Sequence, residues 1–200
     1  GPESPKTLRM VEKMDSVIGY FRKGLAKLPI HQQVDFILVS DHGMQSFDRD
    51  KAVNLADYLP IDSFEHVATG PKKGYTETAY KILKKVPHIS VYRKNELPAR
   101  LHFGSSPRIG ELVLIADLGT QIFFRPQGIP KDFLHAGHGF DNKNPEMYAI
   151  FKAVGPDFQP GRKVSKPIPN ITLYPLVCRI LGLQPGAHDA DETLASSLLK

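Results

Sequence analysis

The apolar run Val34 to Ser40 stops abruptly at Asp41-His42-Gly43, and it follows a long helical pattern. That order of events constrains the fold more than any other feature of the chain. A short, continuous apolar run suits a strand covered on both faces, as in a parallel sheet with helices above and below. Upstream, Leu8, Val11, Met14, Ile18, Phe21 and Leu25 recur at spacings of three and four, the signature of one apolar helix face. Ser4 is placed to cap that helix, and Pro5 suits its first position, where a missing N–H costs nothing. The pattern predicts a helix over Pro5 to Leu28, closed by Pro29. Helix, short loop and covered strand make half of an α/β unit.

The remaining periodicities extend this picture. Short strands are expected at Lys51 to Leu55 and His66 to Thr69, and a helix at Thr76 to Val86 with Ala79, Ile82, Leu83 and Val86 on one side. Three more strands are expected at His88 to Tyr92, Leu112 to Ala116 and Thr120 to Phe124, the last two joined by a turn at Asp117 to Gly119. Glu146 to Val154 reads as a strand stopped by Gly155-Pro156. Ile171 to Leu181 reads as a helix with Leu173, Leu176, Val177, Ile180 and Leu181 facing the core, ended by Gly182. The 17 prolines punctuate loops, and neither a repeat nor a low-complexity linker divides the chain. The expectation is one α/β domain over residues 1–200.

Composition narrows the functional classes. Hydrophobic residues make up 41% and charged residues 24% of 200 positions, which suits a folded core. The net charge of +5 comes from scattered Lys and Arg, and no aromatic-basic motif of a nucleic-acid reader is present, so no nucleic-acid partner is expected. No apolar run approaches the roughly 18 residues that span a bilayer, and no signal peptide opens the chain. Its start, GPESPKTLRM, reads as the middle of a loop. Cys178 is the only cysteine, so no intramolecular disulfide can form, and its apolar surroundings mark it as a packing thiol.

Two clusters could carry chemistry. Side chains alternate along a strand, so Asp41 and His42 can share a task only where the strand has ended, and Gly43 supplies freedom to turn. Ligands of open α/β sheets bind beyond the carboxyl ends of strands. Carboxylate oxygen and imidazole nitrogen both suit zinc at about 2.0–2.2 Å. The second cluster is HAGHGFDN, His135 to Asn142, in which Gly137 and Gly139 flank His138. Read alone, it is better explained as a polar surface loop built from turn-forming Gly, Asp and Asn.

Taken in order, SDHGM after an apolar strand, VYRKNELPARLHFGSSPRIGELVLIADLG, and HGFDN followed by MYAIFKAVGPDF resemble the nucleotide pyrophosphatase/phosphodiesterase (type I phosphodiesterase) family of the alkaline-phosphatase superfamily. The likeness runs from Gly1 to about Leu183. It implies an alkaline-phosphatase-like sandwich with a largely parallel sheet between helices. It also implies a two-zinc hydrolase of phosphodiester or pyrophosphate bonds, acting on a small-molecule or nucleotide substrate. By the same resemblance Asp41 and His42 match ligands of one zinc and His138 a ligand of the other, while His135 has only a turn or supporting role.

The family's pattern places an aspartate and a histidine just before the Gly-Pro that here is Gly1-Pro2, with a nucleophilic threonine and a further aspartate much earlier. None of Thr7, Thr69, Thr76, Thr78, Thr120, Thr172 or Thr193 sits in a matching context, so no nucleophile is assigned. Two zinc ions need about six protein ligands, fewer if one bridges, and three are identified. His31, His66, His88, His102 and His188 are scattered and read as surface or packing residues. The chain is therefore expected to be the C-terminal portion of a catalytic domain, inactive by itself. A phosphatase or phosphonate hydrolase of the same superfamily, or a non-catalytic metal-binding fragment, is the alternative. The family suggests a secreted or periplasmic location.

Overall fold

In the computed structural model, which describes residues 1–66, 70–132 and 134–200, the Ser4 hydroxyl accepts the Lys6 N–H at 3.2 Å and opens helix α1 (Pro5–Leu25). The helix ends earlier than the periodicity predicts because its exit tightens: Lys27 and Leu28 donate to the carbonyls three residues back, ahead of Pro29. Strands β1 (Phe36–Val39), β2 (Gln45–Ser46), β3 (Val53–Asn54), β4 (Phe64–His66) and β5 (Gly70–Pro71) follow. Then come α2 (Thr76–Leu83), β6 (Ile89–Arg93), β7 (Leu112–Ala116), β8 (Ile122–Phe123), β9 (Ala136–Gly137) and β10 (Phe151–Val154). Helices α3 (Leu173–Ile180) and α4 (Glu192–Ser197) close the chain. The strand expected over His66 to Thr69 begins within β4, and its remaining positions, 67–69, lie outside the described residues.

The chain divides into two compact units. One comprises Gly1–Leu8 and His42–Met147. Its core joins Val53, Leu55 and Leu59 to Ala79 and Leu83 of α2, and to Ile89, Val91 and Leu112 of the β6–β7 ladder. That ladder is antiparallel, from Ile89 opposite Ala116 to Arg93 opposite Leu112, and it buries Ile89 and Val91 while Ser90 faces outward. Arg93 lies 3.8 Å from the centre of the Tyr80 ring and forks to both oxygens of Glu77 at 2.8 Å, fastening α2 to the strand end.

The other unit comprises Arg9–Asp41 and Tyr148–Lys200. Here β1 pairs antiparallel with β10, and Ile37, Phe151 and Ala153 pack against Phe158, Leu176, Ala195 and Leu198. Helix α3 ends in a Schellman arrangement around Gly182 (φ +65°). Leu183 donates to the Cys178 carbonyl at 2.8 Å, and Gly182 donates to Arg179 at 3.0 Å.

The α/β class is as expected, but several details differ. Among the described ladders, parallel pairing occurs between β3 and β8, and the other four pairs are antiparallel. The turn at Asp117 to Gly119 forms, with Thr120 donating to Asp117 at 2.9 Å. It does not close a hairpin, because β7 pairs with β6 and β8 with β3. In α3 the buried side chains are Pro175, Leu176 and Cys178, whereas Val177 and Leu181 are exposed. Strand β1 is only half-covered, with Val39 exposed, since a two-stranded ladder shields one edge. The apolar face of α1 buries no residue: Val11 is 60%, Met14 52% and Phe21 54% exposed, and Phe21 meets the Phe36 ring at 5.8 Å.

Candidate metal centre

The end of β1 is fixed at Ser40, whose N–H donates to the Ile150 carbonyl at 3.3 Å while its hydroxyl accepts the Ile150 N–H at 3.0 Å. The chain then passes through exposed Asp41 to half-buried His42. His42 Nδ1 lies 2.7 Å from the Gly43 carbonyl, which can only accept, so Nδ1 carries the proton and the neutral ring has its lone pair on Nε2. Gly43 itself donates to Met147 at 3.0 Å. Its backbone is not left-handed, so rotational freedom does not explain the glycine. Space does: a Cβ there would lie 2.0 Å from the Glu146 carbonyl oxygen. The glycine permits close approach.

Two short ladder residues bring the second motif alongside. Gln45 pairs with Gly137 and Ser46 with Ala136, and Phe47 donates to the His135 carbonyl at 2.9 Å. Gly137 lies flat against the Phe47 ring, where a Cβ would meet Cζ at 2.4 Å. Gly139, at φ +89°, adopts the left-handed turn that follows His138. The result is a face-to-face stack of the His42 and His138 rings, centroids 3.6 Å apart and planes 19° from parallel.

The rest of the HGFDN loop is held by a residue that the sequence did not flag. Arg100 reaches Asp141 at 2.5 Å and Asn142 at 2.7 Å, and Asp141 also accepts the Lys143 N–H at 2.9 Å. The Arg100 guanidinium holds the Asp141 carboxyl below the usual carboxylate range. Forty-one residues separate the partners, and nothing local to Arg100 announces the contact.

Of the residues singled out from the sequence, His42 and His138 are thus brought together, while Asp41 adjoins His42 through the chain. Among the described residues no three His, Cys, Asp or Glu side chains gather around one point. The two imidazoles, being nearly parallel, cannot aim in-plane lone pairs at one ion about 2.0–2.1 Å from each. The outlying histidines serve locally: His31 bonds the Leu28 carbonyl at 2.9 Å, and His188 meets Glu192 at 3.2 Å and receives the Ala190 N–H at 3.1 Å.

Fold and site together define an α/β protein of the alkaline-phosphatase-like type. The chain belongs to the type I phosphodiesterase / nucleotide pyrophosphatase family, whose sequence profile matches residues 1–141. It is 36% identical over 203 residues to human ectonucleotide pyrophosphatase/phosphodiesterase family member 7, covering 94% of this chain and 43% of that protein. It is likewise 36% identical over 193 residues to bovine bis(5'-adenosyl)-triphosphatase ENPP4, covering 92% and 41%. The structure of murine ectonucleotide pyrophosphatase/phosphodiesterase 5 superposes with a TM-score of 0.89 at 31% identity, over all of this chain and 54% of that one. The same murine protein, in an inactive form, has been solved in complex with AMP. The chain spans less than half the length of the curated relatives named here.

Proposed function

We propose that this chain is the C-terminal portion of a metal-dependent hydrolase of phosphodiester or pyrophosphate bonds in small molecules such as nucleotides. The observation that carries the reading is the His42–His138 stack, which joins the two family motifs across some hundred residues. Asp41 and His42 would hold one zinc and His138 the other. The Nδ1 contact of His42 with Gly43 orients that ring as a ligand through Nε2. When bound, a zinc pair polarises the phosphoryl group and stabilises the attacking and leaving oxygens. The chain's own residues position those donors: Gly43 brings His42 against the 146–147 backbone, β2–β9 sets His138, and Arg100 braces the loop beyond it.

The upstream portion would supply the nucleophile and the remaining ligands. The bare apolar face of α1 and the partial span of the relatives support this division. A nucleotide substrate is supported by the names of the relatives, one a bis(5'-adenosyl)-triphosphatase, and by the AMP complex of the murine protein. The "ecto" in the relatives' names supports action outside the cytoplasm, and no helix among the described residues is long and apolar enough to cross a membrane.

The test is zinc-dependent cleavage of a chromogenic nucleotide phosphodiester by the full-length protein, compared with a monoester. Preferential diester cleavage, abolished by a chelator and restored by zinc, is the expected result. Faster monoester cleavage would favour a phosphatase on the same scaffold. Asp41→Asn should lower the rate by orders of magnitude with an unchanged melting temperature, and near-normal turnover would remove Asp41 from the centre.

A further inference from the structure

Of the five asparagines in the chain, only Asn170 is followed two places on by a hydroxyl residue, in Asn170-Ile171-Thr172. Asn-X-Ser/Thr, with X other than proline, is the acceptor pattern for N-linked glycosylation. So short a pattern recurs by chance, and what its residues do in the fold separates a used acceptor from an idle one. Asn170 opens a single 3₁₀ turn, Asn170–Thr172, just after Pro169. It is exposed, and its side-chain amide makes no hydrogen bond among the described residues, so a group attached at Nδ2 meets solvent.

Thr172 is the more telling residue. It is 0% exposed, and its Oγ1 has no hydrogen-bond partner among the described residues. It immediately precedes α3, where a threonine ordinarily serves as a cap. Here the Thr172 backbone is already helical, at φ −65° and ψ −22°, and its side chain makes no capping bond. A buried, unbonded hydroxyl lowers stability, so valine would serve the fold better at this position. Packing gives no account of the hydroxyl, whereas a pattern read on the unfolded chain does.

We propose that Asn170 is an N-glycosylation site, modified on the nascent chain before Thr172 is buried. The co-reactant is a polyprenyl-diphosphate-linked oligosaccharide, used by the oligosaccharyltransferase of a secretory compartment. Asn170 Nδ2 forms a bond to C1 of the first sugar and gives up one proton. The bond from C1 to the diphosphate oxygen breaks, and polyprenyl diphosphate leaves with its electron pair. The transferase reads the Thr172 hydroxyl while the chain is still extended. In the folded protein the glycan stands at the head of α3, where Tyr174, Val177 and Leu181 are exposed at helical spacings of three and four, and adds a bulky, hydrated group there. The inference rests on the reading that the protein acts outside the cytoplasm, which takes the chain past that enzyme.

The experiment is expression of the full-length protein in cultured animal cells, followed by mass spectrometry of the peptide spanning Asn170. Treatment with a peptide N-glycosidase, which converts a glycosylated Asn to Asp, marks the site. A glycan on Asn170 in the wild type and in Thr172→Ser, and none in Thr172→Val, is the expected result. An unmodified Asn170 in secreted wild-type protein overturns the proposal and leaves the location reading standing. Retention in the cytosol with Asn170 bare overturns both. Should Thr172→Val fail to fold, Asn170→Gln alters only an exposed side chain and should remove the mass of one glycan from the intact protein; an unchanged glycan mass overturns the proposal equally.

Discussion

Gly43 shows how one atom sets the geometry of a site. The neighbouring carbonyl of Glu146 occupies the place a Cβ would need, 2.0 Å away, so even alanine must push the 146–147 backbone aside. Gly43→Ala should cost about 1–3 kcal/mol, as other overpacked positions do, and should also displace His42 from the stack. Thermal melting checks the first effect, and zinc affinity of the full-length protein checks the second. Asp141 acts through charge. Arg100 lowers its folded-state pKa beneath the roughly 3.9 of an unfolded aspartate. A depressed acid contributes stability above the unfolded value and loses it as pH falls through the folded one. Arg100→Gln should therefore melt below the wild type at pH 7, and the gap should close as the pH drops below about 4. A gap that persists at low pH would assign Arg100 a packing role instead.

At the scale of elements, hydrophobic period and turn chemistry explain most of what formed. Helix α2, the β6 and β7 strands and the Schellman end of α3 lie where periodicity and glycine place them. Gly182 has φ +65° and nothing within 4 Å of a Cβ, so its cost of substitution is purely conformational. Gly182→Ala should destabilise the protein by about 1–2 kcal/mol, measurable by chemical denaturation. Other features stayed hidden because they depend on partners distant in sequence. The strand-like run around Thr120 to Phe124 pairs with β3 instead of its neighbour β7, and Val177, expected in the core, is exposed while its neighbours Leu176 and Cys178 are buried. A period of 3.6 specifies that a helix has a face, not which way that face will point.

At the scale of the whole molecule, the bare apolar face of α1 is the largest departure from expectation. Ridges of Leu, Val, Met and Phe exposed at this density mark a surface made to be covered. If an upstream portion of the catalytic domain covers it, Met14→Lys and Phe21→Lys should have opposite effects in two settings. They should raise the solubility of the 200-residue chain by itself and lower the stability and activity of the full-length protein. Isolated surface substitutions usually stay within about 0.5 kcal/mol, so a neutral result in the full-length protein would show that the face is solvated there.

The sequence by itself determined the α/β class, the places of α1, α2, β1, β6 and β7, and the two motifs, because these depend on periodicity and on residue chemistry that is local. Tertiary structure decided that His42 and His138 meet, why Gly43 is glycine, and that Arg100 braces the HGFDN loop. Those facts reside in through-space distances of a few ångströms between residues that the chain itself keeps dozens of positions apart.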